Sequence, residues 1–167
     1  LFREPQYLLS LANRIVQVSR EFHLDIVHAH YAIPHATAGF LARQVLTGQT
    51  SPTRPRVVTT LHGTDITLVG SDPSYSEIVA FSIEQSDGVT AVSESLKAST
   101  CRQLGVTREI RVIPNFVDCR EHRRTAAPEL RQRFVGDEVD ARIVIHVSNF
   151  RPVKRVPGAS AANSVRA

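Results

Sequence analysis

Four short stretches carry side chains that could do chemistry. His28-Ala29-His30-Tyr31 sets two imidazoles and a phenol within four residues. Leu61-His62-Gly63-Thr64-Asp65 puts an imidazole, a hydroxyl and a carboxylate around a glycine. Val92-Ser93-Glu94 offers a hydroxyl and a carboxylate, and Ser148 to Arg155 brings Arg151, Lys154 and Arg155 together behind Asn149. A histidine followed by glycine lets backbone approach a ligand closely. With Thr64 and Asp65 it suits hydrogen bonding to a polyol or a carboxylate, and equally a plain turn with Gly63 at positive φ and Asp65 as its cap. His28 and His30, two apart, share one face of a strand, as ligands of a metal can. No Asp-rich partner motif accompanies them, so packing or a polar ligand is the stronger reading and no metal is expected. Ser93-Glu94 is ordinary helix N-capping chemistry. The cations after Ser148 suit a diphosphate if backbone N–H groups of a helix start lie beside them, and otherwise form a basic surface loop.

Strands and helices must position these groups. Leu8, Leu11, Ile15 and Val18 give Pro5 to Phe22 a helical period. Leu24 to Ala29 reads as a buried strand, and Ile33 to Leu46 as a helix with Pro34 in its first turn. Val57 to Leu61 is a β-branched strand, Ser74 to Glu84 a helix, and Gly88 to Val92 a strand. A helix follows from the Ser93 cap to Leu104, ended by Gly105, and Ile110 to Ile113 is a strand closed by Pro114. Alternation of this kind implies an α/β protein with a Rossmann-like parallel sheet, covered on both faces and joined by right-handed crossovers. Ligands of such sheets bind beyond the carboxyl ends of the strands, which would place the first three stretches on one rim.

Residues 1–118 therefore form a partial N-terminal domain. The charged stretch 119–140, with a short helix near Glu129 to Phe134, reads as an interdomain connection. Arg142 to Val147 is apolar enough to be a new strand, so 141–157 is expected to start a second α/β domain. The last stretch, 158–167, has no amphipathic pattern. At 167 residues the chain is long enough for one domain, while two full α/β domains need roughly 300. It begins Leu1-Phe2-Arg3, with no initiator Met and no leader pattern, and so is expected to be a fragment. The net charge of +4 comes from scattered arginines, without the interleaved aromatics that bind nucleic acid. Cys101 and Cys119 stand in no metal or redox spacing, which fits a reducing, cytoplasmic setting. No apolar run reaches the roughly 18 residues of a membrane span.

In this order the segments resemble the family-4 glycosyltransferases of GT-B fold. The resemblance rests on Leu24 to Ala36, on Val58 to Thr67, on Gln85-Ser86-Asp87 with Thr90 to Leu96, on Ile113 to Asp118, and on His146 to Val156. It is strongest with the branch that makes the malate glucosaminide of bacillithiol biosynthesis. It implies a retaining transfer of N-acetylglucosamine from UDP-N-acetylglucosamine to the hydroxyl of L-malate, with the leaving phosphate helping to deprotonate the acceptor. It also implies His62 as the active-site histidine beside the transferred sugar, and Tyr31, Thr60 and Thr64 along the acceptor pocket. Asn149 and Lys154, with Arg151 nearby, would meet the donor diphosphate. No cofactor or metal is implied beyond the donor itself, and a homo-oligomer of the full-length enzyme is compatible. The family's N-terminal Gly-rich loop and its later pair of glutamates are not matched, and 158–167 leaves the family pattern. This chain alone is therefore expected to be inactive. The competing readings are a family-4 enzyme with another acceptor and a non-enzymatic remnant.

Overall fold

The computed structural model describes residues 3–48, 54–64, 66, 70–138 and 140–147. The chain divides into two compact units, Leu1–Phe116 and Val117–Ala167.

The first unit is a four-stranded, all-parallel sheet with strands in the order of the chain: β1 (Ile26–His30), β2 (Arg56–Leu61), β3 (Gly88–Ala91) and β4 (Ile110–Val112). The register pairs His30 with Thr60, Thr60 with Thr90, and Thr90 with Arg111. Helices α1 (Arg3–Phe22), α2 (Thr37–Thr47), α3 (Ser76–Glu84) and α4 (Glu94–Leu104) alternate with the strands. Right-handed crossovers that always step the same way along a sheet drop every helix on the same face. That is the arrangement observed. Leu61, Val89, Ala91 and Ile110 point to one side and bury against Val79, Ile83 and Leu96 of α3 and α4. Gly39 of α2 lies so close to Val57 and Val27 that an added Cβ would sit 3.3 Å from a Val57 methyl. α1 packs on α2, with Val16 against Ala42 and Leu46.

The alternate residues, His28, His30, Val58, Thr60 and Thr90, lie on the other face and are exposed or half-buried. Among the described residues no helix covers it, so the expectation of a sheet covered on both faces is corrected. The strand order supplies the reason: strands stepping one way leave the second face to other elements. The start of α2 also differs from its expected place. Ile33 is extended at φ −118° and ψ 140°, as a residue before proline must be, and a wide turn over Ala32–Ala36 separates it from the helix at Thr37.

One ion pair ties the amino-terminal end of the sheet to α2. Arg43, 7% exposed, donates to the Asp87 carboxylate at 2.7 Å and to the Gln85 carbonyl at 2.9 Å. The same carboxylate oxygen accepts from the Val57 N–H at 2.8 Å. Asp87 thus fixes the β2–β3 pairing and neutralises a buried guanidinium.

In the second unit α5 (Pro128–Val135) starts on a proline, where no N–H is needed. Residues 141–147 are not paired as a strand, which corrects the strand expected at Arg142 to Val147. Val144, Ile145 and Val147 are exposed there, and a strand without a hydrogen-bonded neighbour has nothing to fix it.

Replacing Asp87 by Ala leaves the Arg43 guanidinium buried without its counter-charge and Val57 without its acceptor. The expected loss is about 2–3 kcal/mol, read from urea unfolding of the 167-residue chain. An unchanged midpoint would show that Asp87 does not hold this corner.

Candidate active site

Three strands end on one rim, and each delivers its polar group by a different local device. β1 ends at His30, and Tyr31 follows in a rare conformation, φ 79° and ψ 142°. Positive φ costs a side-chain-bearing residue of order 1–3 kcal/mol. The Tyr31 N–H donates to the Thr60 carbonyl at 2.9 Å and holds the bend in place. β2 ends with Thr60 and Leu61, and His62 and Gly63 then turn the chain. Gly63 has φ 114°, which only glycine adopts without strain, and its carbonyl accepts from the Ile66 N–H at 3.0 Å. β3 runs out through Val92 into the α4 cap, where Ser93 Oγ accepts from the Leu96 N–H at 3.1 Å. Ser93 is therefore a structural cap.

The side chains form two linked sets on the bare face. His28 Nε2 lies 2.8 Å from Thr60 Oγ1, which lies 2.7 Å from Thr90 Oγ1, a ladder across three strands. His30 Nδ1 lies 2.8 Å from His62 Nε2, with the rings 5.1 Å apart and inclined by 29°. The His28 and His30 rings are 4.6 Å apart, and the Tyr31 ring is 5.0 Å from His62. The pKa of His28 is lowered, first by partial burial and then by the charge that His30 and His62 would carry. A lowered pKa keeps that imidazole neutral at neutral pH, able to accept from or donate to Thr60.

A cavity of about 470 Å3 opens over these groups, within the range of small-molecule sites. His30, Thr60, His62 and Thr90 line it, and Asn115 and Phe116 border it after β4. None of the described residues lining it is acidic. A second hollow of about 530 Å3 on the same face lies by Gly88, Arg108 and Arg111, at the amino-terminal ends of the strands. The carboxyl ends are where open parallel sheets bind ligands, which selects the first.

The structure thus brings His62, Thr60 and Tyr31 together. Thr64 is exposed, one residue past Gly63, and is not part of the cavity wall. Asp65, Asn149, Arg151 and Lys154 lie outside the described residues. Sequence reasoning placed His28 and His30 on the rim as packing or polar-ligand residues but gave them no specific role, and it did not name Thr90 or Asn115 as site residues. The alternation of β1 and β3 and the Pro114 stop after β4 were the available signals. Among the described residues no helix is long and apolar enough to cross a membrane.

The profile of Glycosyltransferase Family 4 matches residues 1–121. N-acetyl-alpha-D-glucosaminyl L-malate synthase of Bacillus anthracis is 45% identical over 156 residues. That match covers 93% of this chain and 39% of the relative, so the chain spans about two fifths of the relative's length. The chain belongs to glycosyltransferase family 4, of the GT-B fold class.

Tyr31 is held at positive φ by its surroundings, so the usual ranking of alanine over glycine should invert there. Tyr31→Gly is expected to be more stable than Tyr31→Ala by about 1 kcal/mol, measured by thermal unfolding. Equal stabilities would mean that position 31 is not strained.

Proposed function

We propose that the chain is the acceptor-side part of a retaining transferase that moves N-acetylglucosamine from UDP-N-acetylglucosamine to the hydroxyl of L-malate, in bacillithiol biosynthesis. The observation that supports the acceptor class is the cavity's lining: three imidazoles, two threonine hydroxyls and an asparagine set among Val58, Val92, Ile113, Pro114 and Phe116, with no described carboxylate. An acceptor with two carboxylates meets donors there and no like charge. The 45% identity to an N-acetyl-alpha-D-glucosaminyl L-malate synthase supports the particular acid.

In the proposed step the malate hydroxyl oxygen bonds to the anomeric carbon, and the bond from that carbon to the UDP oxygen breaks. The hydroxyl proton passes to the departing diphosphate on the same face, so configuration is retained and no enzyme nucleophile is used. Thr60 is the proposed acceptor contact on the cavity wall, Tyr31 and Thr64 are proposed contacts by family resemblance from outside that wall, and His62 is the histidine beside the transferred sugar. The Thr60 hydroxyl already meets His28 and Thr90, so one of its three hydrogen-bonding positions remains for a ligand. Asn149, Arg151 and Lys154 are the proposed diphosphate ligands, where fixed cations and dipoles would stabilise the charge developing on UDP. The partners are these two small molecules, with no metal, cofactor or nucleic acid, in a cytoplasmic setting.

The test is a chimera in which this chain replaces the matched 156-residue stretch of the Bacillus anthracis relative. It should release UDP from UDP-N-acetylglucosamine when L-malate is added, and His62→Ala should lower kcat/KM by about a hundredfold or more. The 167-residue chain alone should give no turnover. A folded chimera that glycosylates a sugar or lipid acceptor and ignores L-malate would overturn the acceptor assignment.

A further inference from the structure

The acceptor reading gives His62 a task and counts its neighbour His30 only as part of the cavity wall, with no contact of its own to the acceptor. His30 is exposed on the bare face, so nothing in the packing of the core calls for an imidazole there. Its Cα pairs with Thr60 across β1 and β2, while His62 lies two residues further on, past the end of β2. The two rings nevertheless meet edge to edge, with Nδ1 of His30 2.8 Å from Nε2 of His62, ring centres 5.1 Å apart and planes inclined by 29°. A short hydrogen bond between nearly coplanar rings leaves the His62 imidazole a preferred orientation.

The bond also decides which nitrogen is available. A neutral imidazole has one N–H and one lone pair, and the partner of one nitrogen fixes what the other presents. With Nε2 of His62 committed to His30, its Nδ1 is the nitrogen open to a ligand. The geometry points to His30 as a positioning residue for the transfer site: it engages Nε2 of His62, fixes the ring, and leaves Nδ1 of His62 as the polar atom facing the bound sugar or acceptor. This inference rests on the reading of the site as a glycosyl-transfer site.

Two substitutions separate the parts of this role. His30→Phe keeps a ring beside His62 and removes the nitrogen. His30→Asn loses the ring and keeps an amide close to where Nδ1 was. Long-range 1H–15N spectra of the labelled 167-residue chain report the protonation of each imidazole nitrogen. Amide dispersion in the same sample confirms that each variant is folded, as replacing an exposed residue should allow. In His30→Phe the His62 nitrogen signals are expected to move, and in His30→Asn to return toward the wild-type pattern. Unchanged His62 signals in His30→Phe would overturn the proposed contact, whatever reaction the protein performs.

The functional arm uses the chimera. His30→Phe should lower kcat by about tenfold or more, since a displaced catalytic group costs rate steeply, with the KM for L-malate within about threefold. His30→Asn should recover most of kcat. Moved His62 signals with kcat unchanged would overturn the role in transfer while leaving the contact in place. A wild-type chimera without transfer activity, beside His62 signals that do respond, would locate the failure in the assignment of the reaction.

Discussion

Strand order is the constraint on which the rest of the first unit depends. Four parallel strands laid down in chain order require crossovers that all step the same way, and their common handedness sends every helix to one face. Two consequences follow from that single fact. The carboxyl ends of β1, β2 and β3 come to one rim, where His30, Thr60, Thr90 and the turn residue His62 meet. The opposite face is left uncovered among the described residues, so a ladder of histidine and threonine side chains lies open where a fully wrapped sheet would carry valines. The usual apolar filling of a parallel strand is buried on the helix side, at Val57, Leu61, Val89 and Ala91.

Stability and site geometry are concentrated at opposite ends of the same strands. At the amino-terminal end, Asp87 joins Arg43 of α2 to the backbone of β2 and β3 through short charged hydrogen bonds. At the carboxyl-terminal end the chain accepts local cost. Tyr31 adopts a backbone conformation that suits glycine, and Gly63 turns at φ 114°. Rigid pairing at one end lets strained turns at the other be held in place, which is the usual relation between a scaffold and a binding rim.

The elements of the first unit were legible in the sequence because each carried its own punctuation. Ser93 and Gly105 bound α4 by a side-chain cap and a left-handed terminus at φ 62°, both visible as residue types. Pro114 marked the end of β4. The delayed start of α2 was also written there, since Pro34 disfavours a helical Ile33, yet the apolar period outweighed it. The bare face was not legible from alternation of strands and helices, because that pattern is the same whether helices fall on one side or two. At Arg142 to Val147 a β-branched run signalled a strand, but pairing is a property of neighbours and cannot be read from the run itself. Within the site, His62, Thr60 and Tyr31 were found from their place after strands and from family resemblance. The contacts of His28, His30 and Thr90 depend on the register of three strands, which spacing within any one of them does not specify.

The proposed acceptor site is the carboxyl rim of β1, β2 and β3, where a dicarboxylic acid would lie beside the transferred sugar. A crystal structure of the chimera with UDP and L-malate tests it most directly. Malate is expected in the cavity at Thr60, on the side of His62 where Tyr31 stands, with the ring of His62 tied to His30 and turned toward the sugar side. Malate bound instead at the Arg108 and Arg111 hollow, or away from this face of the sheet altogether, would contradict it.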